Sequence, residues 1–75
     1  MTFNDLVAQF LKIPLADIRD ELTPKDIPDW DSMNYLLFIA ELEKEYNISF
    51  TMDEVLSAQS IGDVRARLLS KGITL

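Results

Sequence analysis

All three prolines of this 75-residue chain, Pro14, Pro24 and Pro28, fall between residues 14 and 28. Proline lacks the amide proton a helix interior uses, and its ring clashes with the preceding turn, so no helix crosses that stretch. The chain therefore divides into a helical N-terminal segment, a long connection and a proline-free C-terminal half. A connection of this length in so small a chain usually carries function or holds a short helical turn, and Ala16 to Glu21 is the segment expected to supply the turn. Leu15, Ile18, Leu22 and Ile27 remain in it as apolar anchors.

Before the prolines, Phe3, Leu6, Val7, Phe10 and Leu11 recur at helical spacing on one face, with Asn4, Asp5, Gln9 and Lys12 on the other. Thr2 followed by Asp5 resembles a capping box, and boundaries near residues 3 and 12 are expected. After the prolines a second helix is expected from about Ser32 to Tyr46, with Asp31 as its N-cap. A step of about 100° per residue places Met33, Leu36, Ile39, Ala40 and Tyr46 on one broad inward face. Leu37 and Phe38 diverge and cannot share that seam. Phe38 is expected to be covered by the loop or another helix, and Leu37 to stay on the surface beside a partly exposed Met33.

Asn47 suits a left-handed helix end, and Ile48-Ser49-Phe50 an apolar crossing. Thr51 to Glu54 fits the capping box of a short third helix ending near Ser57, and Ser60 caps a fourth. Ile61, Val64 and Leu68 give that last helix its buried stripe, Arg65, Arg67 and Lys71 its outer side or end, and Gly72 its stop. The expected fold is all-α: one domain over residues 1–75, a small four-helix bundle with a long first loop and a short third helix.

Composition narrows what such a bundle can do. A chain this small buries only about 60% of the surface its unfolded form exposes, which argues against a deep enclosed active site. Thirteen acidic against seven basic residues give a net charge of −6, which disfavours nucleic acid and anionic membranes and favours partners with basic surfaces. Cysteine and histidine are both absent, so disulfides, thiolate metal sites and the usual general base are missing. No apolar run approaches the ~20 residues that span a bilayer, and MTFNDLVAQF carries no basic leader. The expectation is a cytoplasmic monomer without membrane or nucleic-acid partners. Asp26, Asp29 and Asp31 do not make a calcium loop, because prolines interrupt them and the closing glutamate position is Ala40.

Asp31-Ser32 is the candidate site. A serine hydroxyl needs a base to become a nucleophile, and here there is no histidine, no Ser-x-x-Lys spacing and no Gly-x-Ser-x-Gly elbow. As an acceptor activated by another enzyme it needs only exposure, and the free amides of a helix start favour a phosphodiester there. The adjacent Asp31 opposes that effect with its own charge.

The segment WDSMNYLLFIAELEKEY resembles the modification site of acyl and peptidyl carrier proteins, and the order of helices resembles theirs along the whole chain. The resemblance implies an acyl-carrier-protein-like fold and a tether rather than a catalyst. It implies covalent phosphopantetheine on Ser32, with Asp31 assisting a phosphopantetheinyl transferase through its magnesium ion. The arm ends in a thiol, so a chain without cysteine takes part in thioester chemistry. Implied partners are that transferase and the acyl- or aminoacyl-loading and transferring enzymes of a biosynthetic pathway.

Carriers of bacterial fatty acid synthesis show a nearly continuous acidic second helix, whereas Asn34, Leu37 and Lys44 stand here where acids would be typical. The chain is more similar to peptidyl carriers and to discrete carriers of specialised pathways, with Met33, Leu37 and Glu41 as the expected partner-binding residues. The competing reading is an ordinary N-cap pair in an unmodified helical protein–protein interaction module. Trp30 either anchors the loop on the core, the commoner fate of a lone Trp, or borders the arm.

Overall fold

Each helix begins where a side chain replaces the missing partner of a first-turn amide. In the computed structural model, which describes residues 1–75, α1 (Phe3–Leu11) starts with a reciprocal box: Thr2 Oγ1 accepts from Asp5 N and the Asp5 carboxylate accepts from Thr2 N, each at 3.0 Å. α2 (Ser32–Tyr46) is capped by Asp31. α3 (Met52–Ser57) repeats the box with Thr51 and Glu54, and α4 (Ile61–Ser70) begins at Ser60, whose hydroxyl accepts from Asp63 N at 3.1 Å. There are no strands.

The helix ends are equally local. Lys12 and Asn47 turn left-handed at φ 56° and 54°, ending α1 and α2. Gly72, at φ 85°, lets its own amide reach Leu69 O at 3.0 Å and that of Ile73 reach Leu68 O at 3.1 Å, a Schellman closure of α4.

Helices and loop together bury fourteen residues, every one apolar, in a single cluster. α1 lies against α2, where the Phe3 and Phe38 rings meet at 5.9 Å and 59°. α4 contributes Ile61, Val64 and Leu68, the stripe expected of it. Its first two amides donate to the loop, Ile61 N to Leu22 O at 3.0 Å and Gly62 N to Asp20 O at 2.8 Å. Leu22, Ile27 and Trp30 are buried, so Trp30 has the packing role.

Three expectations need correction. The loop's helical turn is a single 3-10 turn at Leu15–Asp17, earlier and shorter than Ala16 to Glu21. Pro14 opens it, and Ile18 turns extended to pack on the core, which leaves Leu15 55% exposed rather than anchoring. Second, Met33, Leu36 and Ala40 of α2 do not point inward; the buried face is Phe38, Ile39 and Leu42, flanked by half-buried Tyr35 and Tyr46. Third, Arg65 is not an outer residue, and Lys71, at the end of α4 as expected, is half-buried. Arg65 bridges α4 to the loop and α1, with Nε 2.9 Å from Asp20 Oδ1, Nη2 3.0 Å from Asn4 Oδ1 and its guanidinium 4.7 Å from the Phe3 ring centre. Lys71 reaches Glu54 Oε1 at 2.9 Å and lies 5.4 Å from the Phe50 ring centre.

Candidate functional site

The loop delivers Asp31-Ser32 to the surface because the residues just before it are anchored. Trp30 is buried and its amide donates to Ile27 O at 3.0 Å. Asn34, one turn into α2, donates from Nδ2 to Asp29 O at 2.8 Å, tying the helix back onto the end of the loop. Beyond this anchor Asp31, Ser32 and Met33 are all exposed.

Asp31 occupies the N-cap with extended backbone, and its Oδ1 accepts from Asn34 N at 2.8 Å. The Tyr35 amide closes the first turn on Asp31 O at 2.9 Å. The amides of Ser32 and Met33 precede the first intrahelical bonds and meet no acceptor of the chain. Ser32 therefore presents its hydroxyl beside two free amides at the positive end of a fifteen-residue helix. An added phosphodiester fits this arrangement, since its oxygens are acceptors and its charge is favoured there. The Asp31 carboxylate keeps its second oxygen free of the chain, available to a partner's metal ion or basic group.

On the other flank of α2, Tyr35 Oη donates to Val55 O at 2.7 Å and the Tyr35 ring lies 5.7 Å from that of Trp30. Burial raises the Tyr35 hydroxyl above its ordinary pKa, with the Asp63 carboxylate adding to the effect. Glu43 accepts from Phe50 N at 2.8 Å, so α2 holds both the approach to α3 and its body.

The expected partner-binding residues Met33, Leu37 and Glu41 follow one another at four-residue spacing along α2. Met33 is 72% and Leu37 51% exposed, while Glu41 is half-buried. Leu36, at 54% exposure, and Ala40 join them on the outside, where the periodicity had placed them within. Apolar residues stand on both sides of this helix, so spacing alone fits two seams. The series Tyr35, Phe38, Ile39, Leu42 and Tyr46, with the tyrosines counted as half-apolar, is the signal that identifies the buried one.

A family model described as a phosphopantetheine attachment site matches residues 3–68. Among solved structures, one from Mycobacterium tuberculosis assigned as an acyl carrier protein superposes with a TM-score of 0.82. It shares 22% sequence identity, and the match covers 92% of each chain, a likeness of fold. No curated protein matches the sequence.

Proposed function

Since this chain belongs to the phosphopantetheine-attachment carrier family, and is a non-catalytic carrier of that covalent group, we propose that Ser32 is its attachment residue and that it serves as an acyl or aminoacyl carrier. The observation that carries this is the exposed Ser32 hydroxyl at the start of α2, beside two unpaired amides and the Asp31 carboxylate.

Ser32 acts as an acceptor. In the modification a phosphoester bond forms to its Oγ, the phosphoanhydride bond of coenzyme A breaks with adenosine 3′,5′-bisphosphate as the leaving group, and the serine proton passes to a base on the phosphopantetheinyl transferase, since the chain supplies no histidine. Asp31 positions the reaction through its free carboxylate oxygen, toward the transferase's magnesium ion. The free amides of Ser32 and Met33 then stabilise the added negative charge. When attached, the arm supplies a terminal thiol that holds cargo as a thioester.

The partners are the transferase and the acyl- or aminoacyl-handling enzymes of a specialised biosynthetic pathway, met through Met33, Leu37 and Glu41. The protein acts as a single carrier domain, a cytoplasmic monomer; no helix is long and apolar enough to cross a membrane. Incubation with a broad-specificity phosphopantetheinyl transferase and coenzyme A, followed by intact mass measurement, tests the assignment. Wild type gains the mass of one arm and Ser32→Ala gains none. A folded wild-type protein that stays unmodified would shift the assignment to an unmodified interaction module.

A further inference from the structure

The acids of α2 are not all available to a partner. The Glu43 carboxylate accepts from the Phe50 amide at 2.8 Å, and Glu45 lies 3.4 Å from the N-terminal amine. Lys44 stands between them, exposed and without an ion pair; Arg19, Arg65 and Lys71 are matched to Glu21, Asp20 and Glu54, and the other unpaired cations, Lys12, Lys25 and Arg67, lie outside α2. At about 100° per residue, Met33, Leu36, Leu37, Ala40 and Lys44 fall within one sector about 100° wide. The outward face of α2 is thus an apolar stripe ending in one free cation. At 1.5 Å per residue, Lys44 sits about 17 Å along the axis from Met33.

We propose that Lys44 is a specificity-determining residue, and that the partner enzyme seated on this stripe presents an apolar surface with a carboxylate opposite Lys44. This rests on the carrier reading and inverts the partner charge that the net −6 alone would suggest. The face itself rather than the net charge sets the pairing: charges beyond about 10 Å are largely screened at ordinary ionic strength, and of the glutamates beside Lys44, Glu43 and Glu45 are engaged within the chain while Glu41 lies on the flank. A basic partner surface would oppose Lys44 with a like charge and be rejected. Half-buried and unpaired Glu41, on the flank of the same stripe, accepts a donor from the partner, so two opposite charges orient the docked pair.

The test uses the full chain and two synthetic amphipathic helical peptides with the same leucine face, one rimmed by glutamate and one by lysine. Binding is followed by amide chemical shifts. The Glu-rimmed peptide is expected to shift Met33, Leu36, Leu37 and Lys44 and to bind about three- to tenfold more tightly than its Lys-rimmed twin at low salt, the preference fading at high salt. Lys44→Glu is expected to reverse the preference and Lys44→Gln to abolish it, with circular dichroism confirming that both variants stay helical. Preference for the Lys-rimmed peptide on this face, shifts that avoid α2, or an unchanged preference in Lys44→Glu overturns the proposal. Attachment at Ser32 is scored separately by mass, so either result can fail while the other stands.

Discussion

Tyr35→Phe removes one oxygen atom and, with it, the only side-chain hydrogen bond from α2 into α3. The Tyr35 hydroxyl donates to Val55 O at 2.7 Å. That carbonyl gains no backbone partner from its own helix: the amide four residues on, Gln59 N, donates instead to the Asp63 carboxylate at 2.8 Å. Loss of a net bond and of the carbonyl's only partner should cost about 1–2 kcal/mol. For a chain of this size that lowers Tm by about 4–8 °C for each kcal/mol.

The ring is retained, so packing on Trp30 at 5.7 Å survives, and the chain's single tryptophan reports the transition by fluorescence. Urea titration should show a lower midpoint at unchanged slope, and hydrogen exchange should quicken selectively in α3. The same hydroxyl predicts a pH signature. Its folded pKa is raised above the ordinary value near 10, so its contribution is present in full below pH 10 and lost as pH rises through the folded value. Tyr35→Phe should remove that part of the alkaline loss, while Tyr46, also raised by burial, retains its share. A variant with wild-type Tm and unaltered α3 exchange would refute the idea that this bond fastens α3.

Lys12→Gly should raise stability by about 0.5–1 kcal/mol in urea unfolding, because Lys12 holds the left-handed conformation that glycine adopts without steric cost. Gly62→Ala should lower Tm even though alanine favours helices: a Cβ there comes within 3.0 Å of Asp20 Cβ and 3.1 Å of Asp20 O, an atom fixed by the Gly62 amide itself. Acid should loosen α3. The Thr51 amide first, and Lys71 second, hold the Glu54 carboxylate below its ordinary pKa of 4.5, so its contribution is present above pH 4.5 and lost as pH falls through the lower folded value. Glu54→Gln should flatten that part of the acid titration followed by circular dichroism. Leu37→Asp should weaken transfer to or from the partner enzyme several-fold with Tm and arm attachment unchanged; unchanged transfer kinetics would remove Leu37 from the docking face.

Where local rules act alone, the sequence was readable to the residue. The Thr2–Asp5 and Thr51–Glu54 boxes, the Asp31 and Ser60 caps, Asn47 and Gly72 all sit where their side-chain or backbone chemistry placed them. The exposure of Asp31-Ser32 was equally legible, because a cap and the residue after it lie at the end of a helix, where few neighbours can cover them. The rotation of α2 was not. Met33, Leu36, Leu37 and Ala40 are as apolar as Phe38, Ile39 and Leu42, and tertiary contact with Phe3 and Val55 selects the buried set. Arg65 and Lys71 were hidden for a related reason: their partners Asn4, Asp20 and Glu54 are distant in sequence, and helical spacing carries no information about them.

The wholly apolar interior has a corollary for redesign. Oily side chains such as Phe3 and Phe38 fix the helices by shape alone, without the directional bonds that tie one particular atom to another. The directional bonds lie at the perimeter, in a few clips: Tyr35 to Val55, Glu43 to Phe50, Arg65 to Asp20 and Asn4, and Lys71 to Glu54. None of them uses Met33, Leu36, Leu37, Ala40 or Lys44. The surface proposed to choose a partner is therefore separable from the hardware that sets the scaffold, and a library randomised at those five positions should yield folded carriers with altered clientele.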